Sequence, residues 1–158
     1  MIKKYKLLFL SLALCLGTGA LGSFFTISSI PTWYSTLNKP FFTPPNFVFG
    51  PVWTTLYVLM AIALYLVLSK KTKDKLPLYY FLIQLLLNFL WSVIFFYLHL
   101  PLVAYLEIVL LWIFTALTIK SFYKYSRKAS YLMVPYILWI TFASFLNLGV
   151  VLLNHELH

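Results

Sequence analysis

Five stretches of this 158-residue chain run for about twenty residues with almost no charge. A helix of ~20 residues spans the ~30 Å hydrocarbon core of a bilayer. The stretches cover roughly 7–30, 51–69, 77–98, 101–121 and 131–153. Irregular backbone facing lipid would leave its donors and acceptors unpaired, so spans of this kind must be helical. The predicted fold class is an all-α membrane protein with five transmembrane helices and no separate soluble domain, one unit over 1–158. Composition agrees: 63% of residues are hydrophobic and 9% charged, against about 25% charged in a soluble domain.

The charges that remain are sorted. Lys3, Lys4 and Lys6 precede the first span. Lys70, Lys71, Lys73 and Lys75 separate the second from the third, and Lys120, Lys124, Arg127 and Lys128 separate the fourth from the fifth. On the alternate side stands Lys39. Cytoplasmic loops carry the Lys/Arg excess, which predicts a cytoplasmic N-terminus and an external C-terminus. The net charge of +9 is thus an orientation signal, and nucleic acid is excluded as a partner because no basic face is interleaved for it.

Prolines punctuate the runs. Pro51, Pro77 and Pro101 are expected to open the second, third and fourth helices, since a first-turn proline has no hydrogen bond to lose. Pro135 predicts a mild kink in the fifth. Almost nothing separates Leu98 from Pro101, so the third and fourth helices must form a tight antiparallel pair. The N-terminus resembles a secretory signal, but its apolar run continues to Ile30, which favours a retained helix. Cys15 follows Leu14, not the small residue of a lipoprotein signal, and as a single cysteine it excludes an intrachain disulfide.

Polar residues inside a span need a reason. Gln84, Asn88, Trp91 and Ser92 share one face of the third helix at i, i+4, i+7 and i+8, and Trp139, Ala143 and Asn147 share one face of the fifth, with Asn154 extending the row. Two readings are open: hydrogen bonds between helices, about 0.6 kcal/mol each, or the lining of a cavity. Glu107 reads as a protonated or hydrogen-bonded carboxyl pinning the fourth helix to a neighbour, with a functional role as the alternative. Gly17, Gly19, Gly22 and Ser23 form a small-residue surface suited to close helix contact, within the monomer or in a dimer. His155 and His158 read as a solvated tail before a metal contact, His99 carries no haem-like context, and no catalytic motif is present. No metal site is expected.

The segment between the first two spans, "WYSTLNKPFFTPPNFVFGPVWTTLY", has the pattern W-Y-x-x-L-x-K-P-x-x-x-P-P followed by P-V-W-x-x-L-Y. It resembles the first external loop of the translocator protein family, the TspO/MBR or tryptophan-rich sensory proteins, whose vertebrate members are called peripheral benzodiazepine receptors. "QLLLNFLWSVIFF" is similar to that family's third helix and "PYILWITFASFLNLGVVLLN" to its fifth. The resemblance covers nearly the whole chain. It implies a five-helix bundle, usually a homodimer, with a structured external loop after helix one. It also implies binding of tetrapyrroles such as protoporphyrin IX and haem in a pocket between the helices, under that loop, and no required cofactor. The pocket residues it implies are Tyr34, Pro44, Phe49, Trp53, Tyr57, Asn88, Trp91, Ser92, Trp139, Ala143 and Asn147. A light- and oxygen-dependent breakdown of protoporphyrin IX in some bacterial members would carry over onto Trp53 and Trp139 as the catalytic pair.

There are departures. Phe42 stands where many members have tryptophan, Glu107 where aspartate is usual, and no Tyr or Lys/Arg follows Leu146 to make a sterol motif. Lys39 is expected either to meet a ligand carboxylate or to sit in solvent. The charge pattern, without a transit-like segment, points to the cytoplasmic membrane of a bacterium or archaeon. The leading function is tetrapyrrole binding with a sensory role. A porphyrin-degrading enzyme and a small-molecule transporter are the alternatives, the last weakened by the lack of an internal repeat.

Overall fold

The computed structural model describes residues 2–70 and 73–154; His155, Glu156 and His158 lie outside the described residues. Seven helices follow in order: α1 (Ile2–Ser29), α2 (Trp33–Thr36), α3 (Asn46–Leu68), α4 (Leu76–Ser92) running into a π turn (Val93–Tyr97), α5 (Pro101–Tyr125), α6 (Arg127–Leu132) and α7 (Val134–Leu153). Among the described residues they build five spans of membrane-crossing length, with α4 and its π turn forming one and α6 with α7 another. The chain is a multi-pass membrane protein, and no strand occurs among its described residues.

One proline stands elsewhere than expected. Helix α3 starts at Asn46, so Pro51 sits inside it and does not open it. The reason is the Pro44–Pro45 pair. Pro45 is extended (φ −57°, ψ 145°), a conformation that proline also imposes on the residue before it, and its carbonyl accepts from Val48 N–H at 3.0 Å. The helix therefore begins as soon as the prolines end, and Pro51 costs one backbone bond in the second turn. In the fifth span, Pro135 interrupts the helix at one residue, Met133, which keeps right-handed helical angles (φ −85°, ψ −12°). The Pro135 ring would meet the carbonyl four residues back, at Tyr131.

The π turn was not anticipated. Leu98 N–H reaches Val93 O, five residues back, at 2.9 Å. The tight connection that follows places His99 in the left-handed region (φ 56°), and its ring stacks on Trp33 at 4.3 Å. The antiparallel contact of α4 with α5 is the one the missing linker requires, and Phe81 stacks on Phe122 within it at 5.7 Å.

The core divides into two clusters. The larger lies toward the lysine-rich end and includes Met60, Ala61, Leu64, Ile108, Leu111 and Tyr136. The smaller packs Tyr34, Leu37, Phe95, Ala104 and Val150 at the opposite end. The α2–α3 loop closes over this second cluster. Asn38 N–H donates to Asn154 Oδ1 at 2.9 Å and Asn154 Nδ2 donates to Asn38 O at 2.9 Å. Lys39 is tied to the chain itself: Nζ donates to Tyr34 O at 2.9 Å and Leu37 O at 3.0 Å, and lies 4.8 Å from the centre of the Tyr34 ring. The ring of Pro40 rests on α7 at Gly149, where a Cβ would overlap it.

At the other end, Asp74 fastens the α3–α4 connection to α5. Its carboxylate accepts from the Tyr125 hydroxyl and from Leu76 N–H at 2.9 Å, with Lys124 Nζ at 3.8 Å. The Tyr125 hydrogen bond, then the Leu76 amide, holds the Asp74 carboxyl below its ordinary pKa.

Two outcomes are expected. Gly149→Leu pushes Pro40 off α7, so the Asn38 and Thr43 amides exchange with solvent about tenfold faster while the spans stay protected, read by hydrogen-exchange mass spectrometry in detergent. Because folding lowers the Asp74 pKa, its contribution is present above the unfolded carboxylate pKa of about 4 and is lost as pH falls through the folded value. Thermal unfolding in detergent will therefore show an acid-side loss of stability that Asp74→Asn reduces.

Candidate functional site

Between the two core clusters the helices part around a cavity of about 530 Å³. Its walls come from α1, α2, the start of α3, the end of α4 with its π turn, and α7. Of the residues singled out in the sequence, Tyr34, Phe49, Trp53, Tyr57, Trp91, Ser92, Trp139, Ala143 and Asn147 line it; Pro44 and Asn88 do not.

Two aromatic groups line the cavity. On the α3/α7 side, Trp53 lies edge-to-face with Trp139 at 6.5 Å, Phe49 packs on Trp139 at 6.0 Å, and Trp53 leans on Tyr57 at 5.8 Å. On the α4 side, Trp91 stacks on Phe95 at 5.2 Å and meets Phe96 edge-on at 5.8 Å, while Tyr34 covers Phe96 at 5.7 Å. The π turn extends the second group. Phe95, four places beyond Trp91, meets it at ordinary helical spacing, and the wider winding of the π turn adds Phe96, five places beyond. Both were missed in the sequence, although the Trp91–Phe95 spacing was signal enough for the first; the Phe96 contact is legible only once that winding is known.

The third side is α1, where Gly19 and Gly22 let other helices come close. A Cβ on Gly19 would run into the Tyr57 ring, and one on Gly22 would sit 3.3 Å from Ser92 Oγ. The small-residue surface therefore serves packing within the monomer at these two positions. Gly17, with nothing within 4 Å of its Cβ position, takes no part in it.

The polar stripes resolve into both readings at once, divided by depth. Gln84 and Asn88, below the cavity, join helices. Asn88 Oδ1 accepts from the Tyr57 hydroxyl, Asn88 Nδ2 donates to the Tyr136 hydroxyl at 3.0 Å, and Gln84 Nε2 approaches Met60 Sδ at 3.9 Å. Trp91, Ser92, Trp139 and Asn147, higher up, line the cavity. Asn147 is also fully engaged: its Oδ1 accepts from Trp91 Nε1 at 3.1 Å and its Nδ2 donates to Pro101 O at 2.8 Å. Trp139 Nε1 is buried without a hydrogen-bond partner.

No charged side chain lines the cavity among the described residues. Its polar groups are neutral hydroxyls and amides such as Ser23, Thr26, Thr43 and Asn46. Glu107 is buried on α5, outside the lining, and neither carboxyl oxygen finds a partner; the hydrogen bond expected to pin it to a neighbouring helix is not formed. His99, stacked on Trp33 at the outer turn, does not reach the cavity either. Such a chamber can hold a flat or bulky apolar body between rings and can donate hydrogen bonds to its edge, but offers it no countercharge.

Asn88→Leu will separate structure from site. It leaves the Tyr57 hydroxyl without its partner and takes one of two side-chain partners from the Tyr136 hydroxyl, which keeps Thr115, at a cost of about 1–3 kcal/mol, and so lowers the melting temperature in detergent. Occupancy of the cavity by an apolar fluorophore should stay within about twofold of the parent chain, because Asn88 lies behind the wall.

The TspO/MBR family model matches residues 11–153. The chain is 44% identical over 157 residues to tryptophan-rich protein TspO of Chlorobaculum tepidum, covering 98% of this chain and 99% of that one. It is 48% identical over 145 residues to tryptophan-rich protein TspO of Archaeoglobus fulgidus, covering 91% and 94%. To the human translocator protein it is 37% identical over 127 residues, covering 78% and 75%.

Proposed function

We propose that this chain, which belongs to the TspO/MBR family, binds tetrapyrroles of the protoporphyrin IX or haem type in the cavity under the α2–α3 loop, as the receptor step of a sensory role. The observation that carries this reading is that two aromatic groups, Trp53–Trp139 and Trp91–Phe95, line about 530 Å³ of uncharged space. A porphyrin ring is broad, flat and apolar on both faces, and indole and phenyl rings stack on it favourably. Its carboxylates find no cation in the lining, so they belong at the open edge of the site, near headgroups and water. The lysine-rich ends of the spans are read as cytoplasmic by the positive-inside rule, which puts the cavity in the outer half of a prokaryotic cytoplasmic membrane with the C-terminus outside. Two chains pairing as a homodimer is part of the same reading.

A second reading is favoured by one contact. Trp53 and Trp139 line the cavity in edge-to-face contact at 6.5 Å, and Trp53 continues to Tyr57 at 5.8 Å. Two indoles beside a light-absorbing macrocycle are placed to give up an electron to its excited state, with dioxygen as the final oxidant. In this reading bound protoporphyrin IX loses absorbance under light faster than it does beside Trp53→Phe/Trp139→Phe, and only when oxygen is present.

Binding itself is tested by titrating the detergent-solubilised chain with protoporphyrin IX and following tryptophan fluorescence. Saturable quenching is expected, and Trp53→Phe/Trp139→Phe should raise Kd about tenfold, or 1.4 kcal/mol. Quenching that never saturates would remove the reading.

A further inference from the structure

The lysine clusters mark orientation, but the fold also brings cations to the mouth of a second hollow. At the lysine-rich end, the last turns of α3 and the first turn of α4 part around a cleft of about 140 Å³ that shares no lining residue with the aromatic cavity. Its walls are apolar: Leu64, Val67 and Leu68 from α3, Pro77 and Leu78 from α4. Leu64, Val67 and Pro77 are buried, so the cleft reaches into the bundle. Its rim is charged and exposed, formed by Asp74 and Lys75.

A further cation reaches this rim from another span. The Asp74 carboxylate accepts from the Tyr125 hydroxyl and from Leu76 N–H, which docks the α3–α4 connection on the end of α5. The same contact sets Lys124 Nζ 3.8 Å from Asp74 Oδ2. The one acid of the rim is thus answered within the chain, and Lys75 leaves the mouth net positive. Tyr79, Tyr123 and Tyr131 are exposed on the helix turns at this end. Exposed tyrosines of this kind sit at headgroup level in a bilayer. The rim therefore lies where lipid phosphates are, and the cleft runs inward from it to acyl depth.

We propose that this α3–α4 cleft is a site for an anionic glycerophospholipid, with one acyl chain against Leu64, Val67 and Leu68 and the phosphate at Lys75 and Lys124. The cleft is too small for a macrocycle but suits a narrow, flexible, wholly apolar chain. An ammonium is a compact point charge that meets a phosphate oxygen without a fixed fork geometry. A zwitterionic lipid carries its own cation beside the phosphate and gains little from the two lysines. Juxtamembrane lysines attract anionic lipid in general; here an apolar slot beneath two of them gives the lipid one place to sit. Bound there, it touches α3, α4 and α5 together, so it stabilises the bundle. The site is independent of what the aromatic cavity binds.

The test uses the full chain in detergent, given phosphatidylglycerol or phosphatidylcholine with identical acyl chains. Retained lipid is read by native mass spectrometry, and the melting temperature is recorded beside it. One phosphatidylglycerol per chain should be retained in preference to phosphatidylcholine and should raise the melting temperature. Lys75→Gln and Lys124→Gln should each weaken its retention about fivefold. Lys4→Gln and Lys128→Gln remove the same charge from α1 and α6 without touching the lining, and should stay within about twofold. Leu68→Trp fills the slot and should abolish the preference; because Lys75 is exposed, the lysine variants carry the test even if that chain folds poorly. Equal retention of the two lipids would overturn the site. So would Lys4→Gln or Lys128→Gln acting as strongly as Lys75→Gln, which is diffuse attraction. Displacement of the lipid by glycerol 3-phosphate or inorganic phosphate would overturn it too, since the acyl slot would then contribute nothing.

Discussion

An open chamber inside a helical membrane protein depends on what holds the helices below it, and here that is the amide of Asn88. Lipid tails are as apolar as leucine, so burial of apolar surface gives helices no reason to associate in a bilayer. Close packing and hydrogen bonds must do it. Asn88 on α4 takes the hydroxyl of Tyr57 from α3 and donates to that of Tyr136 from α7, tying three spans at one depth. Tyr57 in turn fills the notch that Gly19 leaves in α1, which brings in a fourth. Above this knot the same helices diverge and the cavity begins.

The spans were legible because their cause is local: a bilayer demands a run of apolar residues, and lysines mark where the runs stop. The stripes on the third and fifth spans were legible for the same reason, since helical periodicity is a property of neighbouring residues. What the sequence could not convey was depth. Asn88 and Ser92 stand one turn apart on one face, yet the first bonds helices and the second faces the cavity, because the floor falls between them. Pro51 misled on a boundary, because its position depends on what precedes it: Pro44–Pro45 starts α3 earlier. The π turn has no periodic signature short enough to read.

Among the described residues, basic side chains stand toward the two ends of the molecule, and no charged side chain lines the site between them. Lys39 is the sharpest case. By position it is the natural partner for an anionic ligand, but its ammonium caps the carbonyls of Tyr34 and Leu37 and covers the Tyr34 ring, so it closes α2 instead of reaching the cavity. Recognition then rests on shape and on neutral donors.

The seat of Pro40 on Gly149 also bears on how this fold can vary. The contact joins residues more than a hundred places apart, and one of the two partners is defined by having no side chain. A change at position 149 cannot be absorbed by a rotamer, since a rigid ring lies on one side and helix backbone on the other. Divergence at the two positions is therefore concerted: a lineage that acquires a larger residue at 149 must first lose the proline at 40 or lengthen the loop that carries it. Drift in the outer loop is thereby coupled to drift in the last helix.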